Sequence, residues 1–192
     1  MENYAEAEKY FLPGKYNTDK DNLICTNKYL GYIYSRNKKK EYEKIIEMYT
    51  NALHFDDEDI DCYIELAILN ELRKPEESIK MYEKAIELIR NKDLKNYVFN
   101  RTRSLYNIKE DFPKILNNYA TIRLRLGYLN ELDKILNEAL SIIKTNKNEI
   151  KNFKDKEEKK EYYIDEVFFN LFIIIKIIFF IQFNLIVLNF IG

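Results

Sequence analysis

His54 is the only histidine in the chain, so a nucleophile system of the Ser-His or Cys-His kind has a single base to draw on. It falls at the end of a predicted helix, where a positive side chain suits the negative end of the helix dipole, and a structural role is expected for it. Cys25 and Cys62 stand alone, with neither a Cys-x-x-Cys nor a histidine cluster beside them. They read as buried thiols in a reducing compartment rather than as a disulfide. No Gly-rich phosphate loop and no metal-ligand spacing occurs. Acidic residues sit next to lysines on predicted helix surfaces, as solvated faces do. These residue types assemble no catalytic constellation, and the expectation is a chain with no enzymatic activity, no cofactor, no metal and no small-molecule substrate.

The elements that carry these residues are helical. The chain has 192 residues, 33% charged and 46% apolar, which suits a folded domain of ordinary size. Only 4 Gly and 3 Pro are present, too few for the many turns of an all-β fold. A net charge of −1 makes no case for nucleic acid. Met1 to Phe11 is polar and acidic and has no secretory pattern.

The most regular stretch is Asp59 to Arg90, predicted as two amphipathic helices joined by a short turn. Tyr63, Leu66, Ala67 and Asn70 share one face of the first. Ser78, Tyr82 and Ala85 recur at the same spacing in the second, with Ile79 and Ile86 widening the apolar stripe. Pro75 suits the first helical position, and Glu76 and Glu77 suit the positive end of the dipole. Small residues at Ala67, Ser78 and Ala85 let two backbones approach, and large ones fill the space around them. This is the tetratricopeptide pattern, Trp-x2-Leu-Gly-x2-Tyr followed by Ala-x3-Phe. Tyr63 stands for the Trp, Leu66-Ala67 for Leu-Gly, Ser78 for the Ala and Tyr82 for the Phe; Asn70 replaces the Tyr, and the turn is about one residue short.

The same grammar runs along the chain. Ala7 and Phe11 have the spacing of a second repeat helix, so the chain is expected to begin inside a repeat, interrupted at Pro13-Gly14. Thr26 to Leu53 is a unit with Leu30, Gly31 and Tyr34 on its first helix and Ile45, Tyr49 and Ala52 on its second. Arg36 to Lys40 between them is a basic turn, a solvated loop more than an import signal. Asn91 to Asp111 is a polar insertion, either a loop or a loop with a short helix. Phe112 to Lys144 restores the period: Pro113 is expected to open a helix with Leu116, Tyr119 and Ala120 on one face, and Gly127 to end it in the left-handed conformation. Leu132, Leu136 and Ala139 continue on the second helix, with Leu132 at the usual Ala position. Residues 145–161 form a charged linker, mobile or weakly helical. Residues 162–192 start a further repeat at Phe168 and Leu171 and run into a hydrophobic tail. The fold class expected is all-α, a tetratricopeptide solenoid of antiparallel helix pairs over residues 1–144, with a hydrophobic C-terminal helix.

Order and wording say more than the repeats do. Ile60 to Leu69, then Pro113 to Gly127, then the charged linker, then Phe168 to Leu171 resemble, in that order, the tetratricopeptide scaffold subunits of the PAF (RNA polymerase II-associated factor) transcription-elongation complex. That family carries a close relative of Tyr63 to Leu69, matches Lys114 to Gly127 as Glu-Ile-Leu-Asn-Asn-x6-Arg-Leu-Gly, and has the Lys-x-Leu-Gly-x-x-Tyr stretch seen at Lys28 to Tyr34. The similarity covers roughly Ala7 to Leu171, departing at the insertion and after Leu171. It implies a nuclear scaffold that binds other PAF subunits and through them RNA polymerase II, with a link to histone modification and no direct contact with nucleic acid. Family members are much longer, so the chain is expected to be an interior fragment. The family of repeats also suggests a chaperone-tail clamp of Lys, Asn and Arg, but only Asn118 fits it; Ile64, Ile68, Glu166 and Asn170 do not. Asn117 and Asn118, on an exposed first-helix face, are expected either to touch partners or to cap.

The tail, Val167 to Leu188, is long enough to cross a bilayer. Its Ile, Phe, Leu and Val residues contribute about −6 kcal/mol to insertion, Lys176 opposes with about +3 kcal/mol, and Asn170, Gln182 and Asn184 cost more, so the sum is close to marginal. Three readings stand open: a transmembrane anchor, which would make the protein a membrane tail-anchored adaptor; an extra helix on the end of the array; or a non-native continuation from an AT-rich intron.

Overall fold

A computed structural model describes residues 4–16, 18–36, 41–91 and 104–150 of the chain. The basic turn at 37–40, most of the insertion, the charged linker from 151 and the whole hydrophobic tail lie outside the described residues. Among the described residues there are seven α-helices, one 3-10 helix and no strand. The all-α expectation holds, and the helices pack in adjacent pairs. Two compact units divide the chain, Met1–Ile108 and Lys109–Gly192.

In the first unit α1 (Tyr4–Phe11) leads into a 3-10 turn (Leu12–Tyr16) at Pro13-Gly14. Phe11 stacks on Tyr29 of α2 with ring centroids 5.1 Å apart, so this short helix packs on the next one. Helix α2 runs Lys20–Arg36, six residues earlier than the expected start at Thr26. The cause is a cap: the Asp21 N–H donates to Asp19 Oδ1 and the Leu23 N–H to the Asp19 carbonyl. Helix α3 (Tyr42–Phe55) returns along it. Gly31 marks their closest approach, since a Cβ there would sit 2.9 Å from Cζ of the fully buried Tyr49.

Helices α4 (Ile60–Asn70) and α5 (Pro75–Asn91) form the next pair, with Pro75 at the first helical position as expected. Ala67, Ser78, Tyr82 and Ala85 are all fully buried. The Ser78 hydroxyl donates to the Ala67 carbonyl at 2.7 Å, which ties the end of α4 directly to α5. The turn there is tight, with Glu71 N–H reaching back only to Ile68 O, and Ser78 satisfies a carbonyl at the helix end. Ser78→Ala, although it installs the residue usual at that position, is therefore expected to cost about 1–2 kcal/mol in a urea titration, the loss of one hydrogen bond to a buried acceptor. Asn70 also explains itself. Its amide donates to Leu66 O at 2.9 Å and its Oδ1 accepts from Tyr42 OH at 2.5 Å, so the ring missing from Asn70 is supplied by α3. One core runs through this unit from Leu30, Ile33 and Tyr34 through Ile45, Met48, Tyr49 and Ala52 to Cys62 and Leu66, with Ala7, Phe11 and Met81 packed against it.

In the second unit α6 (Ile108–Arg125) precedes α7 (Leu132–Ile150). Pro113 does not open α6 but sits inside it. Ile108 and Phe112 are buried, and Glu110 and Asp111 favour the positive end of the dipole, so an extra turn forms ahead of the proline. Gly127 ends α6 at φ +80, as expected. Its N–H donates to Leu124 O and that of Tyr128 to Arg123 O, the paired bonds of a Schellman motif. A Cβ at Gly127 would meet nothing within 4 Å, so backbone conformation alone selects glycine there. Leu116, Tyr119, Ala120, Leu132, Leu136 and Ala139 are buried. Helix α7 continues six residues into the segment expected to be linker, to Ile150. No Gly or Pro lies between Leu132 and Ile150 to stop it, and the Thr145 hydroxyl bonds back to Ser141 O at 3.0 Å.

Candidate functional site

Of the residues expected to pack the repeats, Gly127 is exposed, with nothing within 4 Å of a Cβ placed there, so it ends a helix and packs against nothing. Leu30, Gly31, Tyr34, Ala52, Leu66, Ala67, Ser78, Tyr82, Ala85, Tyr119, Ala120 and Ala139 are all buried; Tyr63 is half-buried, with its hydroxyl on Asp57 O at 3.0 Å. The expected partner-touching residues fare differently. Asn117 is 5% exposed, with the Thr121 hydroxyl on its carbonyl, so it is not part of an open face; Asn118 is half-buried. The helical period of α6 puts Asn117 on the side that also holds the buried Pro113 and Ala120 rather than outward. His54 is exposed in the last turn of α3, and Cys62 is buried, which pushes its thiol well up from its ordinary value. Among the described residues no group of His, Cys, Asp and Glu is placed to hold a metal, and no helix is long and apolar enough to cross a membrane.

The polar centre of the first unit is one that the pattern of apolar residues does not announce. It joins the first helices of two successive pairs. Lys28 on α2 is 3% exposed, and its Nζ lies 2.9 Å from Asp61 Oδ2 and 3.1 Å from Asp59 Oδ2. Asp59 is the N-cap of α4, accepting the Cys62 N–H on its other oxygen at 3.1 Å, and Asp61 stands in the first turn. Both carboxylates thus gain from the positive end of the α4 dipole as well as from the ammonium. Burial by itself disfavours the charged lysine, but Asp61 and then Asp59 outweigh it and hold the group above the ordinary lysine value. Burial pushes the Asp61 carboxyl up, against the pull of Lys28.

Two carboxylates on one ammonium need further donors, and the chain brings them from beyond the insertion. The Ser104 hydroxyl lies 2.8 and 3.1 Å from the two oxygens of Asp61, and the Leu105 N–H donates to Asp61 Oδ2 at 2.8 Å. One helical turn further on, Glu65 is 4% exposed and accepts the Tyr106 hydroxyl at 2.6 Å. Burial first, and then the Glu65 carboxylate, push the Tyr106 phenol up. Arg36 at the end of α2 lies over the Tyr32 ring, 4.8 Å from its centroid, within the field of Glu65. Tyr106→Phe is expected to cost about 1.5–3 kcal/mol, the range for a hydrogen bond to a charged group. Tyr16→Phe, at a residue 88% exposed, is the control and leaves the urea midpoint in place.

Neither a protein-family model nor a curated protein matches this sequence. The chain's own residues define an all-helical protein of paired helices whose first helices carry a buried, net-acidic polar seam.

Proposed function

We propose that this chain is a protein-binding scaffold of the tetratricopeptide type, and that it serves as a PAF-complex subunit in RNA polymerase II transcription elongation and the histone modification linked to it. The observation that supports the scaffold reading is close helix approach at a small residue in each of two successive helix pairs: Gly31 against Tyr49, and Ala67 against Ser78. Stacked pairs of this kind present the first helices as a groove for partner segments. The finer assignment is supported by the ordered run of segments at Lys28 to Tyr34, Tyr63 to Leu69 and Lys114 to Gly127 that resembles the PAF scaffold family.

The test is affinity purification of the tagged full chain from separated nuclear and membrane fractions. PAF subunits and RNA polymerase II in the nuclear eluate are expected. Recovery with membranes only, resisting alkaline carbonate, would replace this reading with the tail-anchored adaptor. The hydrophobic tail at Val167 to Leu188 is the sequence feature behind that second outcome.

A further inference from the structure

We propose that Ser104-Leu105-Tyr106 is an internal ligand. It occupies a peptide site on α2 and α4 that takes from a partner a turn of the form Ser/Thr-x-Tyr, unphosphorylated and with any residue but proline in the middle. The proposal deepens the scaffold reading above and rests on it for the identity of the partner, but not for its geometry.

The site is defined by what it needs. Asp59 and Asp61 face one cation, Lys28, and all three side chains are at most 4% exposed. Buried carboxylate oxygens require hydrogen-bond donors, and an uncompensated one is costly. The segment supplies a donor at each of its three residues: the Ser104 hydroxyl and the Leu105 N–H to Asp61, and the Tyr106 hydroxyl to Glu65. A turn fixes their spacing, because the Tyr106 N–H also donates to Ser104 Oγ at 3.3 Å. Asp61 and Glu65 are one helical turn apart, so the two hydroxyls of a Ser-x-Tyr turn meet successive steps of a single helix face. Proline in the middle would lack the N–H that Asp61 accepts. A phosphate on either hydroxyl would bring about two negative charges against Asp61 or Glu65.

The same face of α4 goes on past the occupied part. Ile68 follows Glu65 at helical spacing and is 40% exposed, and Leu72, in the turn beyond the helix, is 86% exposed. In this chain Asn107, itself exposed, follows the tyrosine, and Ile108 is drawn into α6. A partner with an apolar residue after its tyrosine can cover Ile68, which the internal segment does not. That difference lets a segment in trans compete with one already tethered in place.

The experiment uses the full chain and a synthetic peptide, Arg-Ser-Leu-Tyr-Leu-Leu, fluorescein-labelled for binding and unlabelled for exchange. In the unaltered protein, saturating peptide is expected to raise hydrogen exchange at the Leu105 amide by about tenfold, the worth of one ordinary hydrogen bond, with the amides of α5 unchanged. Ser104→Ala with Tyr106→Phe weakens the internal ligand and is expected to tighten peptide binding by at least about tenfold. Adding Asp61→Asn to that variant, phosphorylating the peptide serine, or placing proline at the peptide leucine between serine and tyrosine is expected to abolish binding. Peptide at millimolar concentration that leaves Leu105 exchange unmoved overturns the proposal, and so does equal binding of the phosphopeptide. The exchange measurement decides the matter even if the double variant fails to fold. A chain whose Leu105 amide responds, but which captures no elongation subunits from nuclear extract, keeps this proposal and loses the assignment above.

Discussion

Lys28→Met is expected to lower the unfolding free energy by about 3–5 kcal/mol, the range for removing one member of a buried ion pair. Methionine keeps the length of the stem, so the change falls on the charge. Asp59 and Asp61 would then face each other with no cation, at 0% and 1% exposure. The donors from Ser104 and Leu105 remain, but both serve Asp61. Urea unfolding followed by helix content gives the number. Adding Asp61→Asn to Lys28→Met is expected to restore part of the loss, because a single uncompensated carboxylate remains. The pH dependence has a definite sign. In the parent, the Lys28 pKa is raised from 10.5, so its contribution is fully present below pH 10.5 and fades as pH climbs further. In Lys28→Met the cation that opposed the burial of Asp61 is gone, and the folded state takes up a proton at higher pH than the unfolded chain. Acidification from pH 7 toward about pH 5 therefore narrows the gap between variant and parent. A gap that stays constant with pH would mean that Asp61 is not paying the desolvation cost.

Local spacing made the helix pairs legible. The 3-4-7 recurrence at Tyr63, Leu66, Ala67 and Asn70, and again at Ser78, Tyr82 and Ala85, needs no information from elsewhere in the chain to predict two helices and the faces that meet. Gly31 could be read the same way, since a glycine inside a helical pattern implies a neighbour too close for a Cβ, and Tyr49 is that neighbour. Helix ends were less legible. Asp19 extends α2 upstream through a cap, and Pro113 is tolerated within α6 because burial of Ile108 and Phe112 outweighs one missing N–H.

The polar seam was not legible, for a different reason. Lys28 meets Asp59 and Asp61 across 31 and 33 residues, and Tyr106 meets Glu65 across 41. Lys28 directly follows Thr26 and Asn27, and a lysine beside polar residues reads as solvated. Ser104 and Tyr106 lie in a stretch whose composition reads as insertion. The one available signal was the step from Asp61 to Glu65, which lines up acids along one face of α4 with no lysine at helical spacing to pair them. Asn118 attracted notice by matching a clamp position and Asn117 by an expected exposed face, whereas Lys28 entered only as the first residue of the Lys-x-Leu-Gly-x-x-Tyr stretch, with no sign that its charge is buried. Repeat spacing locates the apolar joints between paired helices, and charge accounting locates the polar seam.

Ala67→Phe is expected to cost about 3 kcal/mol, the upper part of the usual range for overpacking a core. Ala67 is fully buried, and Ser78, Tyr82 and Ala85, its counterparts on α5, are fully buried too. With Ser78 Oγ 2.7 Å from the Ala67 carbonyl, the backbones of α4 and α5 have no slack for a ring. A phenyl group must push α5 away, which also breaks that hydrogen bond and leaves the carbonyl at the end of α4 without the hydroxyl. Ile68→Phe, one residue on, places the same ring at a side chain 40% exposed, and should change stability by no more than about 0.5 kcal/mol. Hydrogen exchange of the α4 and α5 amides compares the two variants directly, without requiring the two compact units to unfold together. Equal protection in both would show that close approach at the small residues does not hold the pair. The tetratricopeptide reading would then lose its physical basis, because a larger residue at that position could not be excluded by packing, and the pattern of small residues at Gly31, Ala67 and Ala120 would be composition without consequence.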